Sequence, residues 1–328
     1  MVSTIACRQA ILIALALCAA PRTAFAQSVA DFPNKPIRFL SPAVPGAGND
    51  TTTRAIAHKL TQAWGQQVIV DNRVGAGGLI ALDILAKAIP DGHTVAIISA
   101  NVPISTAISP SWPYDLNKDM TPVSQVTSLF YIVYHHPALP VTSFKDLVAY
   151  GRMHPGKLNY GTPGTGSLQH LGWEIIIQMS GAKFTHVPYK SGAPAITATI
   201  AGEMQFGFGT LISLRPHMVS GRVRVIAVTS KQRAPTLPDI PTVAEQGLPG
   251  YVIDQWYGAV TGAKVPPAIV NKLNAGIVEA VKSSDVAQRL AADGSTAVGS
   301  SAEQFSATIR AETDKWRKVA KESGLVLN

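Results

Sequence analysis

Short apolar runs alternating with longer amphipathic ones predict an α/β chain. Two further observations sharpen that expectation. The alternation comes in two successive sets, and small, glycine-rich loops recur where a strand gives way to a helix. Open α/β sheets take ligands beyond the carboxyl ends of their strands, so the pattern predicts two α/β units with a ligand cleft between them.

In the first set, Pro36–Ser41 reads as a strand and Thr51–Trp64 as a helix with Ile56, Leu60 and Trp64 along one face. Gln67–Asp71 is the next strand, Leu79–Ile89 a helix stopped by Pro90-Asp91-Gly92, and Thr94–Ile98 a third strand. That rhythm implies a parallel sheet covered by helices on both faces. The second set opens with a strand at Phe130–Tyr134, a helix at Phe144–Arg152, a strand at Leu158–Gly161 and a helix at about Ser167–Met179. Strands near Phe184–Val187, Gln205–Phe208 and Val223–Val228 then alternate with helices near Ala193–Ala201 and Leu214–Val219. A proline-punctuated connection through Pro235, Pro238, Pro241 and Pro249 leads to closing helices at Pro267–Ser283, Val286–Ala292 and Ala302–Ser323.

Residues 1–26 read as a secretory leader. Arg8 gives the positive start, Ala10–Ala20 the apolar stretch and Ala24-Phe25-Ala26 the small-x-small cleavage pattern, so the exported chain would begin at Gln27. The apolar stretch is about half the roughly 20 residues of a membrane-spanning helix. Lipidation at Cys18 is the rival reading, opposed by the bulky Leu17 before it. Both cysteines, Cys7 and Cys18, fall in the leader, which leaves the rest of the 328 residues without disulfide, thiolate or cysteine–metal chemistry. Loss of Arg8 and Arg22 takes the formal charge from +8 to +6. No basic run gathers that charge, so nucleic acid is not an expected partner, and a modest positive field suits small anions.

Loops after strands carry the candidate chemistry. Pro42–Asp50 ends a strand and opens a helix, with Asn49 or Asp50 as the natural cap; it is either a tight turn or an anion cradle built on a helix amino terminus. Tyr160–His170 repeats the layout with added hydroxyls and free amides. Two such cradles in corresponding positions suggest a clamp closing on an anion from both sides. A third cluster, Arg73–Gly78, serves equally as close backbone packing or as ligand contact.

Enzyme signatures are scarce. There is no Gly-x-Ser-x-Gly elbow, no Walker lysine and no full dinucleotide fingerprint. His170 and Glu174 lie four apart on a helix without an evident third metal ligand, and His135 and His136 project to opposite sides of a strand. Neither a metal nor another cofactor is expected. An exported esterase using Ser167 and His170 is the catalytic alternative, short of an oriented acid partner.

The chain resembles the Bug-type solute receptors of tripartite tricarboxylate transporter systems. The resemblance rests on Pro33–Arg38, the Pro42–Asp50 loop, Val70–Gly78, Pro90-Asp91-Gly92, Pro155–Gly161, Gln169-His170, His186–Lys190 and Leu237–Glu245, in that order along the chain. It implies a two-lobed periplasmic binding fold of type II-like form with a central ligand cleft. Lobe one would take residues 27–126 and 250–328, and lobe two residues 127–249. Implied ligand contacts are Ala43, Gly46, Ala47, Gly48, Asn49 and Asp50 from the first loop. The second loop adds Thr162, Gly164, Thr165, Gly166, Ser167 and His170, and Phe208, Gly209 and Thr210 complete the set.

Departures from the family pattern bear on the ligand. Ala43 stands where an aromatic residue is usual, Ala47 replaces a glycine, and Gly209 replaces an aspartate that answers an amino acid's ammonium. The expected ligand is therefore a carboxylate without an amine, either a dicarboxylate or an aromatic acid such as terephthalate. Tyr131, Phe208, Trp256 and Tyr257 are candidate stacking partners or ordinary core. The expected role is capture by cleft closure, as a monomer, for delivery to membrane transporter subunits. A receptor feeding a membrane sensor would use the same closed form.

Overall fold

A computed structural model describes residues 31–292 and 294–323; the predicted leader and its cleavage site lie outside them. The first strands and helices follow the expected rhythm: β1 (Ile37–Ser41), α1 (Gly48–Trp64), β2 (Val68–Asn72), α2 (Leu79–Ala86), β3 (Thr94–Ser99) and α3 (Asn101–Ile108). Then come β4 (Met120–Phe130), β5 (Ile132–His135), α4 (Phe144–Met153), β6 (Asn159–Thr162), α5 (Leu168–Ser180), β7 (Thr185–Pro188) and α6 (Gly192–Ile200). The remainder is β8 (Phe206–Gly209), α7 (Leu211–Val219), β9 (Arg224–Val228), β10 (Asp254–Gly262), α8 (Pro267–Lys282), α9 (Ser284–Ala292), β11 (Ser295–Ala297) and α10 (Ala302–Ser323).

The strands form a six-stranded sheet in the order β11-β4-β10-β3-β1-β2 and a five-stranded sheet in the order β7-β6-β8-β5-β9. In the first, β1 runs parallel to β2 and β3. The parallel sheet expected of these three strands is thus present, and β10, not foreseen in the sequence, extends it by lying antiparallel to both β3 and β4. The second sheet is mixed in the same way: β6 is parallel to β7 and β8, whereas β5 is antiparallel to β8 and β9.

Both β4 and β10 escaped the sequence reading, for a physical reason. Their core residues, among them Val123, Val126, Trp256 and Val260, are interspersed with Ser, Thr, Gln, Pro and Gly, where the strands pack closely under helices. Gly258 of β10 makes this concrete: a Cβ there would stand 2.1 Å from Cζ of Phe305, the buried aromatic of α10. The predicted strand Phe130–Tyr134 is likewise split at Tyr131, where the chain leaves the first sheet for the second.

The crossings between the sheets, at Tyr131 outward and Ile253 on return, are tied by one residue. The Thr229 hydroxyl accepts from the Tyr131 amide at 2.9 Å and donates to the Ile253 carbonyl at 2.6 Å. Its backbone bonds the same two residues, accepting from the Ile253 amide and donating to the Tyr131 carbonyl. Thr229 is fully buried, so loss of the hydroxyl strands two backbone groups away from water. Thr229→Val, nearly isosteric, is expected to lower unfolding free energy by about 2–3 kcal/mol in urea titrations, with Thr229→Ser close to wild type.

Candidate ligand-binding cleft

Three helices begin at one cavity of about 560 Å³. Its wall includes Gly46–Gly48 at the start of α1, Ser191–Ala193 at the start of α6 and Thr210 with Ser213 at the start of α7. None of the cap residues Ala47, Ser191 and Thr210 caps a helix N–H with its side chain, the Thr210 hydroxyl pairing instead with that of Ser213 at 2.9 Å. Unpaired N–H groups at a helix start carry partial positive charge, so three uncapped starts around one space favour an anion. Among the described residues no Asp, Glu, Lys, Arg or His lines this cavity. Phe208, Tyr257 and Ile196 supply its apolar wall.

Of the predicted contacts, Gly46, Ala47, Gly48, Phe208, Gly209 and Thr210 meet here. Asn49 and Asp50 do not line the cavity. They are not caps either, since α1 begins at Gly48 with Ala47 before it, and both side chains are buried within the first turn. The Asp50 carboxylate reaches back to the Gly46 amide at 2.8 Å and also accepts from Arg54 Nε at 2.9 Å and Asn72 Nδ2 at 2.8 Å. Burial would raise its pKa, but these hydrogen bonds and the Arg54 charge hold it below the usual carboxylate range. Asp50 therefore shapes the loop from behind. Ala43 belongs to the same scaffold, its carbonyl accepting from Asn72 Nδ2 at 2.9 Å.

The second predicted loop lines a different space. Gly164, Thr165, Gly166 and Ser167 form part of a cavity of about 540 Å³, opposite Gly77 and Asn101. The third glycine cluster thus contributes a wall here. The amides expected to be free are mostly spent: Gly164 N–H donates to Thr162 Oγ1, Gly166 N–H to His170 Nδ1 and Leu168 N–H to Asn101 Oδ1. Gly164 and Gly166 have φ of 136° and 76°, which this tight path requires.

Thr162 and His170, both buried, stand behind the loop. His170 Nδ1 accepts a hydrogen bond, so the ring is neutral and its proton sits on Nε2, 3.6 Å from Glu174 Oε1. His186 stacks on His170 at 3.9 Å between centroids and bonds Thr162 Oγ1 through Nε2 at 2.6 Å. Burial and the neighbouring His170 push the His186 pKa down to about 4, and burial lowers that of His170 against the opposing pull of Glu174. Ser167 caps α5: its hydroxyl accepts from the His170 amide at 3.3 Å and donates to the Gly164 carbonyl at 2.7 Å. The imidazole, engaged with Gly166, makes no nucleophile–base pair with it.

The candidate aromatics divide. Phe208 and Tyr257 reach the first cavity, with burial pushing the Tyr257 phenol up to about 12. Trp256 is core, edge-on to Phe305 at 5.3 Å, and Tyr131 is buried and stacked on Phe208 at 6.0 Å. Sequence reasoning missed Ser191–Ala193, Ser213 and Asn101. The first four sit in the same strand–loop–helix layout as the loops it did select, so that rule, applied to Pro188–Ala193 and Gly209–Ser213, finds them.

Residues 52–325 match the family described as tripartite tricarboxylate transporter family receptor, TctC. The chain belongs to that family. This TctC receptor is 34% identical over 326 residues to the UPF0065 protein in the tcbD-tcbE intergenic region of Pseudomonas sp. strain P51, covering 98% of this chain and 96% of the relative. It is 33% identical to protein BugT of Bordetella pertussis over 298 residues, 90% of this chain and 91% of BugT. In three dimensions it resembles Rpa4515 of R. palustris with adipate, at TM-score 0.83 and 32% identity over 90% of this chain and 99% of that one. MatC of Rhodopseudomonas palustris with bound malate superposes at TM-score 0.79 and 27% identity, over 88% of this chain and 99% of MatC.

The histidines behind the second loop give the receptor a signed pH dependence. A histidine with a depressed folded pKa is protonated first in the unfolded chain, so stability holds above about 6.5 and declines as pH falls toward about 4. Other groups titrate in the same window, so the comparison is between variants. His186→Gln, which still bonds Thr162, is expected to lose less stability than wild type between pH 7 and pH 4 in urea titrations, whereas equal losses would detach His186 from that dependence.

Proposed function

We propose that this chain is a periplasmic solute-binding receptor that captures a small dicarboxylate or aromatic carboxylate and delivers it to the membrane subunits of a tripartite tricarboxylate-type transporter. Export would follow removal of the leader after Ala26. The ligand would draw together lobe one, residues 27–126 and 250–328, and lobe two, residues 127–249, in a monomeric protein, biasing an open–closed equilibrium toward the form a membrane partner reads.

The observation that carries this reading is the meeting of three uncapped helix starts on a cavity with no Asp, Glu, Lys, Arg or His among its described walls. Each such start stabilises an anion by roughly 0.3–1 kcal/mol, more where water is excluded. An amine would find no counter-charge there. Gly209 reinforces the point, because a Cβ at that position would stand 2.8 Å from Cγ and Cδ1 of the buried Leu214. An acidic side chain at 209 would need a repacked core. Phe208 and Tyr257 offer flat apolar surface to an acyl chain or a ring. The second cavity, walled by the start of α5, suits the other end of a long acid. Adipate in Rpa4515 and malate in MatC are ligands of the same chemical class.

Thermal-shift titration tests the ligand class. Adipate or terephthalate is expected to stabilise the protein by about 2.7 kcal/mol at a hundredfold excess over Kd, with no shift for glutamate. A shift with glutamate and none with either acid would overturn the reading. Ser213→Asp tests the site. A carboxylate in the first turn of α7 favours the helix, so the variant stays folded, yet it places a negative charge on the cavity wall. Affinity for the acid should fall at least about tenfold by calorimetry.

A further inference from the structure

Asn101 is the first residue of α3, directly beyond β3 of the six-stranded sheet. Leu168 is the first residue of α5, which follows β6 of the five-stranded sheet. The two meet across the cleft, where Asn101 Oδ1 accepts the Leu168 backbone N–H at 3.1 Å. That N–H is one of the donors a helix start cannot satisfy within itself. A side chain from the other half of the molecule therefore occupies a position that ligand or solvent oxygen would otherwise take.

This bond also decides which way the amide group of Asn101 faces. Only its oxygen can accept from Leu168, so the NH₂ end is directed away from the helix start. Asn101 forms part of the wall of the second cavity, and its Nδ2 is bonded to no other described residue. Serine and threonine hydroxyls on the same wall can donate or accept and do not discriminate charge. A primary amide whose oxygen is turned to Leu168 presents mainly its two N–H donors to the rest of the wall.

We propose that Asn101 fastens the two halves across the cleft through Leu168 and, with the donors so presented, selects for an anionic ligand oxygen. The selective part rests on the carboxylate reading above; the fastening part does not. Arg215 joins the halves at another point, its Nη2 donating to the Ala292 carbonyl at 2.6 Å. The overall degree of opening is therefore a blunt measure, and the informative probe is the Leu168 amide itself.

Amide-resolved hydrogen exchange and calorimetry on the full chain, with adipate as the probe, separate the two parts. In Asn101→Ala the Leu168 amide should exchange about tenfold faster than in wild type without ligand, with amides of the β1–β3 core unchanged. Asn101→Asp keeps an acceptor for that amide, so protection should persist. It also replaces the donors with a negative charge, and adipate affinity should fall at least about tenfold. Unchanged Leu168 exchange in Asn101→Ala would overturn the fastening, and wild-type adipate affinity in Asn101→Asp would overturn the selection. If wild type binds neither adipate nor terephthalate, the carboxylate reading fails, the selection falls with it, and exchange alone decides the fastening.

Discussion

Backbone amides can hold an anion only if their directions are fixed before it arrives, and this constraint organises the cleft. No described cation lines either cavity, so positive potential has to come from helix starts, whose fields fade within a turn. A start displaced by a small distance loses much of its effect. The charged and titratable groups near the loops accordingly lie behind them, as scaffolding. Asp50 pins Gly46 and is itself neutralised by Arg54. Thr162 and His170 pin Gly164 and Gly166, and His186 braces Thr162. Keeping the buried histidines neutral is part of the same design, because a proton on His170 Nδ1 would remove the acceptor that Gly166 needs.

The two sheets meet this constraint in complementary ways. Strands β1, β6, β7 and β8 each end where a loop turns into a helix start, so the ends of their ladders aim the amides. The antiparallel strands β10 and β5 have a different task. They run beside the parallel core of each sheet and carry the chain between the two, with Thr229 tying the outward and return crossings. The mixed topology follows from that division: a strand returning from the other sheet inserts between β3 and β4 in the direction it arrives.

Much of the fold was legible because its helices and core strands bury long apolar stretches. β1, β3, α4, α5 and α10 match their expected positions to within a residue or two, since periodicity reports burial on one face or two. β4 and β10 were illegible because their polar and small residues serve close packing under α8 and α10, which periodicity does not register. The loops were legible as places and misread as chemistry. Glycine and hydroxyl content marks a strand-to-helix turn, yet whether an amide is free depends on partners distant in sequence. Asn72 lies 22 residues from Asp50, His186 lies 24 from Thr162, and Asn101 lies 67 from Leu168. Asn49 and Asp50 suit a cap by residue type, but the helix starts at Gly48, three residues before the expected Thr51, and the Asp50 carboxylate serves Gly46 from inside the first turn.

A cleft whose described walls carry no Asp, Glu, Lys, Arg or His also bears on release. A lining arginine would form a strong bidentate pair with a carboxylate and hold it in either form of the protein. On the proposed reading, helix starts contributed by both sheets would surround the ligand only when the halves are together. Separation removes part of the field at once, since α1 belongs to one sheet and α6 and α7 to the other. Affinity would thereby be coupled to conformation more tightly than a single charged residue would allow. That coupling is what a receptor needs if it is to bind firmly in dilute solution and surrender its ligand when a partner opens the cleft.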